Sequence, residues 1–246
     1  MIVSHPGRWF IATPTKTGTH TLEAIASRPA NADYLELAGP PPGDHRRRMH
    51  RMAPDPTWSG YRGCLLVRNP WSRWVSVYEY LRAPKFYAQW GAREVQGRTW
   101  GGTKNPAVLA RLGNPMTFED FLTWMLRQRA EHYTPKALAR RGSAATSMAY
   151  RSPWIWTDSL TVSRRLVAAN LGEPPTLIHL EQIADDLQAV VGDVPDLDLH
   201  ADQLNRTTDP THTRWTAYWS DVALALARRL GIDQEADDLG YLRSPA

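Results

Sequence analysis

Apolar positions along the chain alternate between short continuous runs and longer stretches with helical spacing, the signature of strands alternating with helices. Arg8 to Ala12 is an aromatic and aliphatic run of one strand's length, stopped by Pro14. Leu22, Ile25 and Ala26 then recur at helical spacing, and Arg28-Pro29 ends that segment. Tyr34 to Leu37 reads as a strand, followed by the stiff loop Gly39-Pro40-Pro41-Pro42-Gly43. Gly63 to Val67 is another apolar run, as in a buried parallel strand. After it, Asn69 suits a helix cap and Pro70 its first position. Trp74, Val77, Tyr78 and Leu81 should face the core, with Arg73, Ser76 and Tyr80 on the other side.

Further along, Phe118, Phe121, Leu122 and Met125 form a helical stripe capped by Thr117, with acids in the first turn. Ser159 to Leu171 predicts a helix with Leu160, Val167 and Leu171 inward. Ile183, Leu187, Val190 and Val191 predict the next helix. Trp219, Val222, Ala223, Leu226 and Leu230 predict a last long one. Residues 82–115 are rich in Gly, Pro, Trp and Arg and lack periodicity, which reads as a substrate-covering insertion. This alternation predicts an α/β fold, a central parallel sheet flanked by helices on both faces. Residues 1–246 read as a single domain with no internal repeat.

Composition narrows the class. A chain of 246 residues is long enough for one substantial core. Its 42% hydrophobic and 22% charged content is that of a soluble globular protein. No stretch reaches membrane-spanning length, and Met1 to Arg8 lacks the apolar core of a signal peptide, so a cytoplasmic location is expected. The one cysteine, Cys64, excludes an internal disulfide and a cysteine-based zinc site, and should pack in its strand. There is no His-Glu-x-x-His pattern, and Asp185-Asp186 and Asp237-Asp238 read as solvated acid pairs, so no metal is expected. The net charge of +4 suits an anionic ligand. The basic run His45-Arg46-Arg47-Arg48-Met49-His50-Arg51 suits either an acidic substrate or nucleic acid.

The candidate chemistry lies where two strands feed two helices. Thr15 to Thr21 is small, polar and hydroxyl-rich around Gly18. A loop entering a helix N-terminus offers unpaired N–H groups and a positive dipole end to an anion. Gly18 allows close approach, Thr17, Thr19 and Thr21 add hydroxyls, and Lys16 adds a mobile charge. The order of residues is not that of a Walker A loop, because the lysine precedes the glycine. In the second motif Arg68 ends a strand, where ligands bind in open α/β sheets, and Arg68 and Ser76 are placed to share one anion.

Together, Pro14-Thr15-Lys16-Thr17-Gly18-Thr19 and Arg68-Asn69-Pro70-Trp71-Ser72-Arg73-Trp74-Val75-Ser76-Val77-Tyr78 resemble the motifs of sulfotransferases that use 3′-phosphoadenosine 5′-phosphosulfate (PAPS). That family has a Pro-Lys-x-Gly-Thr-like loop for the 5′-phosphosulfate; here Thr15 is inserted between proline and lysine. Its Arg-x-Pro-x-x-Arg-x-x-Ser-x-Tyr segment binds the 3′-phosphate. Thr117 to Trp124, Leu177 to Ile183, Leu204 to Thr208 and Asp237 to Tyr241 resemble later family segments: a middle helix, a late strand ending in a glutamate, a loop over the cofactor and the usual ending.

The resemblance implies a P-loop-like sulfotransferase fold and transfer of a sulfuryl group from PAPS to an acceptor hydroxyl or amine, with no metal. Cofactor contacts would fall on Thr15, Lys16, Thr17, Gly18, Thr19, His20, Thr21, Arg68, Ser76, Arg206 and Thr207. Lys16 would neutralise charge on the bridging oxygen. Arg73 would lie near the 3′-phosphate or be structural. For the base, His50 lies where cytosolic sulfotransferases place a catalytic histidine, and a histidine titrates near neutral pH. Glu36 is the main rival, followed by His45 and His20.

Of the eleven tryptophans, Trp90, Trp100, Trp154 and Trp156 are candidates for stacking on a small-molecule or carbohydrate acceptor. A nucleic-acid partner is not expected on this reading, and the chain would act as a monomer or homodimer. Two alternatives stay open: a basic nucleic-acid-binding protein, and a nucleotide or small-molecule kinase, which would need a Walker loop and a magnesium site.

Overall fold

The computed structural model describes residues 1–14, 17–37, 56–82, 117–132, 160, 164, 167–168, 171–192, 198, 215–242 and 245. Strand β1 (Ile2–Ser4) turns through residues 5–8 into β2 (Trp9–Ala12). So short a connection joins only antiparallel neighbours, and the register runs from Ile2↔Ile11 to Ser4↔Trp9. Helix α1 (Thr19–Ala26) follows, then the edge strand β3 (Glu36–Leu37), which pairs antiparallel with β1. Strands β4 (Arg62–Val67) and β5 (Thr176–His179) extend the other side in parallel.

The sheet order is β3-β1-β2-β4-β5. The α/β class holds, but the sheet is mixed rather than parallel throughout. The exception is β1, which the sequence pattern did not reveal because three residues carry too little periodicity. The expected strand from Tyr34 shortens to Glu36–Leu37, both exposed at the sheet edge.

The chain's contacts divide into two compact units. One comprises Met1–Asn69 and Asp158–His212, the other Pro70–Thr157 and Thr213–Ala246.

In the first unit β2 and most of β4 are buried on both faces, which is why both read as unbroken apolar runs. Alternate residues Trp9, Ile11, Cys64, Leu66 and Ile178 form one core with Leu22 and Ile25 of α1. Ile183 and Leu187 of α4 (Ile183–Val191) complete it. Leu160, Arg164, Val167, Ala168 and Leu171 are helical, as the spacing predicts, with Leu160 and Val167 fully buried. Leu171 is half-buried against Gly63, where any Cβ would overlap it.

The second unit contains α2 (Pro70–Arg82), α3 (Phe118–His132), α5 (Asp221–Leu230) and α6 (Ile232–Asp238). Helix α3 starts with a reciprocal cap. Thr117 Oγ1 accepts from Asp120 N at 3.1 Å, while Thr117 N donates to Asp120 Oδ2 at 3.2 Å. Its stripe Phe118, Phe121, Leu122 and Met125 is buried as expected.

The anticipated last long helix is α5, which ends at Leu230 as its stripe predicts, because Gly231 adopts a left-handed conformation (φ 70°); α6 follows as a further short helix. Ala223, Ala227 and Leu230 form its inward stripe, one helical step round from Val222, which is exposed rather than buried. Helix α2 is also less one-sided than its pattern suggests. Arg73 is buried along with Trp71 and Trp74. Trp71 packs edge-on against Trp219 at 4.8 Å, and Trp74 lies tilted against Phe121 at 6.1 Å.

Candidate anion site

Chain direction creates the site. After β2 the chain passes through α1 to β3, on one side of the sheet. After β4 it continues eventually to β5, on the other side. Neighbouring parallel strands whose connections part in this way leave a crevice at their carboxyl ends, the usual ligand position in such sheets. The register Ala12↔Leu65 places the end of β2 beside β4, and Val67↔His179 places β5 beside them. Thr13-Pro14 and Thr17-Gly18 after β2, Arg68-Asn69 after β4 and the Leu180–Gln182 turn after β5 therefore share one edge of the first unit.

In the first turn, Gly18 is the residue before α1 and has φ 98°, a left-handed conformation that an L side chain rarely adopts. A Cβ there would also overlap the side chain of Leu180. Gly18 O accepts the N–H of Thr21 at 2.9 Å and of Leu22 at 3.2 Å. Among the described residues no side chain caps this helix start, and the first-turn N–H groups of Thr19 and His20 have no partner within the helix.

The threonine hydroxyls play a different part from the one the sequence suggested. Thr17 is buried and donates to Pro14 O at 2.7 Å, and Thr19 makes a longer contact to the same carbonyl at 3.5 Å. These protons close the loop instead of pointing outward. Thr21 is also buried. His20 is exposed, with Nδ1 3.0 Å from Glu23 Oε2.

In the second turn Arg68 follows the last residue of β4, as expected, and is half-buried. Asn69 N donates to Glu181 Oε1 at 3.0 Å. Ser76 lies on α2, half-buried, in the second unit.

Glu36, the rival base, sits on the edge strand β3, separated from β2 by β1. Its Oε2 lies 3.4 Å from His5 Nε2, and His5 Nδ1 is 3.0 Å from Tyr61 OH. Tyr61 immediately precedes β4, so this cluster gathers at the amino-terminal end of the parallel strands, away from the crevice. Cys64 is fully buried, and burial pushes its thiol pKa up to about 12, with Arg62 opposing the shift. The strand cysteine is therefore a packing residue and not a nucleophile.

Asp186 departs from the expectation of a solvated acid pair. Its Oδ2 accepts from His179 N at 2.6 Å and lies 2.8 Å from His179 Nδ1. Thr15, Lys16, His45, His50, Arg206 and Thr207 lie outside the described residues, as do Trp90, Trp100, Trp154 and Trp156. No metal-binding group occurs among the described residues. Among those residues, too, no helix is long and apolar enough to cross a membrane.

The Leu180–Gln182 turn is the part of the site that residue patterns alone did not supply. The available signal was Glu181 at the end of the expected late strand, which in the structure stops two residues earlier at His179. No family model, curated protein or solved structure matches this chain.

Proposed function

We propose that this chain is a sulfotransferase moving a sulfuryl group from PAPS to an acceptor hydroxyl or amine by in-line displacement. One observation carries the reading. Two anion-suited turns, each following a parallel strand, lie side by side where the strand connections diverge. One presents helix N-terminal amides and the other an arginine, which suits a nucleotide phosphorylated at two positions. The left-handed Gly18 and the uncapped start of α1 further support the first position. The reading carries with it helices on both faces of the sheet, and Leu171 against Gly63, opposite the α1 face, supports that.

In this reading the amides of Thr19 and His20 hold the 5′-phosphate end, and Arg68 holds the 3′-phosphate, the role that motif resemblance gives it with Ser76. As the acceptor oxygen bonds to sulfur, the bond from sulfur to the bridging phosphate oxygen breaks. Lys16 meets the negative charge gathering on that oxygen, and the acceptor's proton passes to His50.

Calorimetric titration with adenosine 3′,5′-bisphosphate, beside adenosine 5′-monophosphate, tests the reading. The bisphosphate should bind far more tightly, and Arg68→Ala should remove that preference. Equal binding of both nucleotides, or of neither, would refute it.

A further inference from the structure

The Leu180–Gln182 turn after β5 touches both anion-suited turns at once. The side chain of Leu180 occupies the space a Cβ on Gly18 would need, so it bounds the first turn from behind. One residue later, Glu181 Oε1 accepts the N–H of Asn69 at 3.0 Å, fixing the peptide that joins Asn69 to Arg68. The turn is itself anchored, because Asp186 on α4 holds both the N–H and the ring of His179, the last residue of β5. Asp186, His179, Leu180 and Glu181 thus form a chain of contacts from α4 to the two turns.

A carboxylate one residue from Arg68 acts on an incoming phosphate in two opposite ways. Its charge repels the dianion, but Glu181 is exposed, and solvent weakens that repulsion. Its hydrogen bond to a backbone N–H is charge-assisted and directional, and sets how Arg68 leaves the strand.

We infer that Glu181 is a positioning residue for the second phosphate position and Leu180 for the first, so that this one turn sets the spacing of the two ends of the donor nucleotide. The inference rests on the sulfotransferase reading.

The test is calorimetric titration of the full chain and of Glu181→Ala, Glu181→Gln and Leu180→Ala with adenosine 3′,5′-bisphosphate and adenosine 5′-monophosphate. Thermal unfolding is followed in parallel. Glu181→Ala should weaken bisphosphate binding roughly tenfold and leave the monophosphate within about twofold, with an unchanged unfolding transition. Glu181→Gln keeps an acceptor oxygen and should recover most of the loss. Leu180→Ala should weaken both nucleotides alike.

Tighter bisphosphate binding by both Glu181 variants would show that repulsion dominates and would overturn the assignment. So would equal losses for the two nucleotides in Glu181→Ala, or a glutamine variant no better than alanine. A parent protein that does not prefer the bisphosphate overturns the sulfotransferase reading, and this inference with it. Failure confined to the variants overturns the inference alone.

Discussion

The turns after β2 and β4 lie at the same edge of the sheet but present different groups there, and on the proposed reading they would meet an anion in opposite ways. The first has the Thr17 and Thr19 hydroxyls turned inward to Pro14 O and, among the described residues, no side chain capping its helix start, so its donors there are backbone amides. The second has the Asn69 amide bonded to Glu181, and its cationic group is the side chain of Arg68. Backbone donors are fixed in direction and depend on local conformation. A guanidinium reaches further and depends on how its stem is held. The first turn is therefore vulnerable to anything that changes backbone shape, and the second to anything that changes one side chain.

The largest expected effect comes from breaking the first turn. Gly18→Val forces a β-branched residue into a left-handed conformation and drives its Cβ into Leu180. The combined strain and overpacking should cost about 3 kcal/mol or more. Thermal unfolding should shift down by several degrees, and binding of both nucleotides should be lost together. If Gly18→Val keeps the parent's stability and affinity, the first turn does not depend on backbone shape.

At the second turn, Arg68→Lys sharpens the contrast. A lysine keeps the charge but not the forked donors. It should retain part of the preference for the 3′-phosphate, with affinity for the bisphosphate down about tenfold and the monophosphate unchanged. An equal loss for both nucleotides would mean that Arg68 serves the fold and not one phosphate.

A smaller effect separates hydroxyl from backbone in the first turn. Thr17→Val removes a buried hydrogen bond to Pro14 O and should cost about 1 kcal/mol of stability. Thr17→Ser keeps that bond and should fold closer to the parent. If valine leaves stability untouched while weakening nucleotide binding, the hydroxyl faces the ligand instead.

These contrasts show which parts of the molecule a single sequence makes legible. Strands β2 and β4 were readable because both of their faces are buried, which leaves unbroken apolar runs. Phe118, Phe121, Leu122 and Met125 were readable because one helix face meets the core. Strand β1 was not, since its pairing comes from a tight turn and not from its own three residues. Val222 was misplaced because an apolar residue one step off the inward stripe looks the same in sequence as one on it.

At the candidate site, Gly18 before a helix and Arg68 after a strand were legible as residue types in place, whereas the inward turn of Thr17 was not, because hydroxyl direction is a tertiary property. The bond from Glu181 to Asn69 spans 112 positions and follows from strand order alone.

A last effect, on stability alone and outside the neutral pH range, concerns the strands that carry the two turns. Cys64 lies in β4, level with Ile11 of β2 and Thr176 of β5, and burial holds its thiol pKa at about 12 against an ordinary 9.0. Below about pH 9 the thiol is protonated in both folded and unfolded chains, so it adds no pH dependence. Between about 9 and 12 the unfolded chain releases the proton while the folded chain keeps it, so stability falls as pH rises. The limiting slope is about 1.4 kcal/mol per pH unit. Denaturant unfolding at pH 8 and pH 10 should show a loss of this sign, and Cys64→Ala should flatten it while lowering stability at both pH values by opening a small cavity. A thiol reagent should modify the native protein slowly at pH 8 and the unfolded chain at once. Rapid modification of the native protein would place the thiol at the surface and overturn its assignment to the strand core.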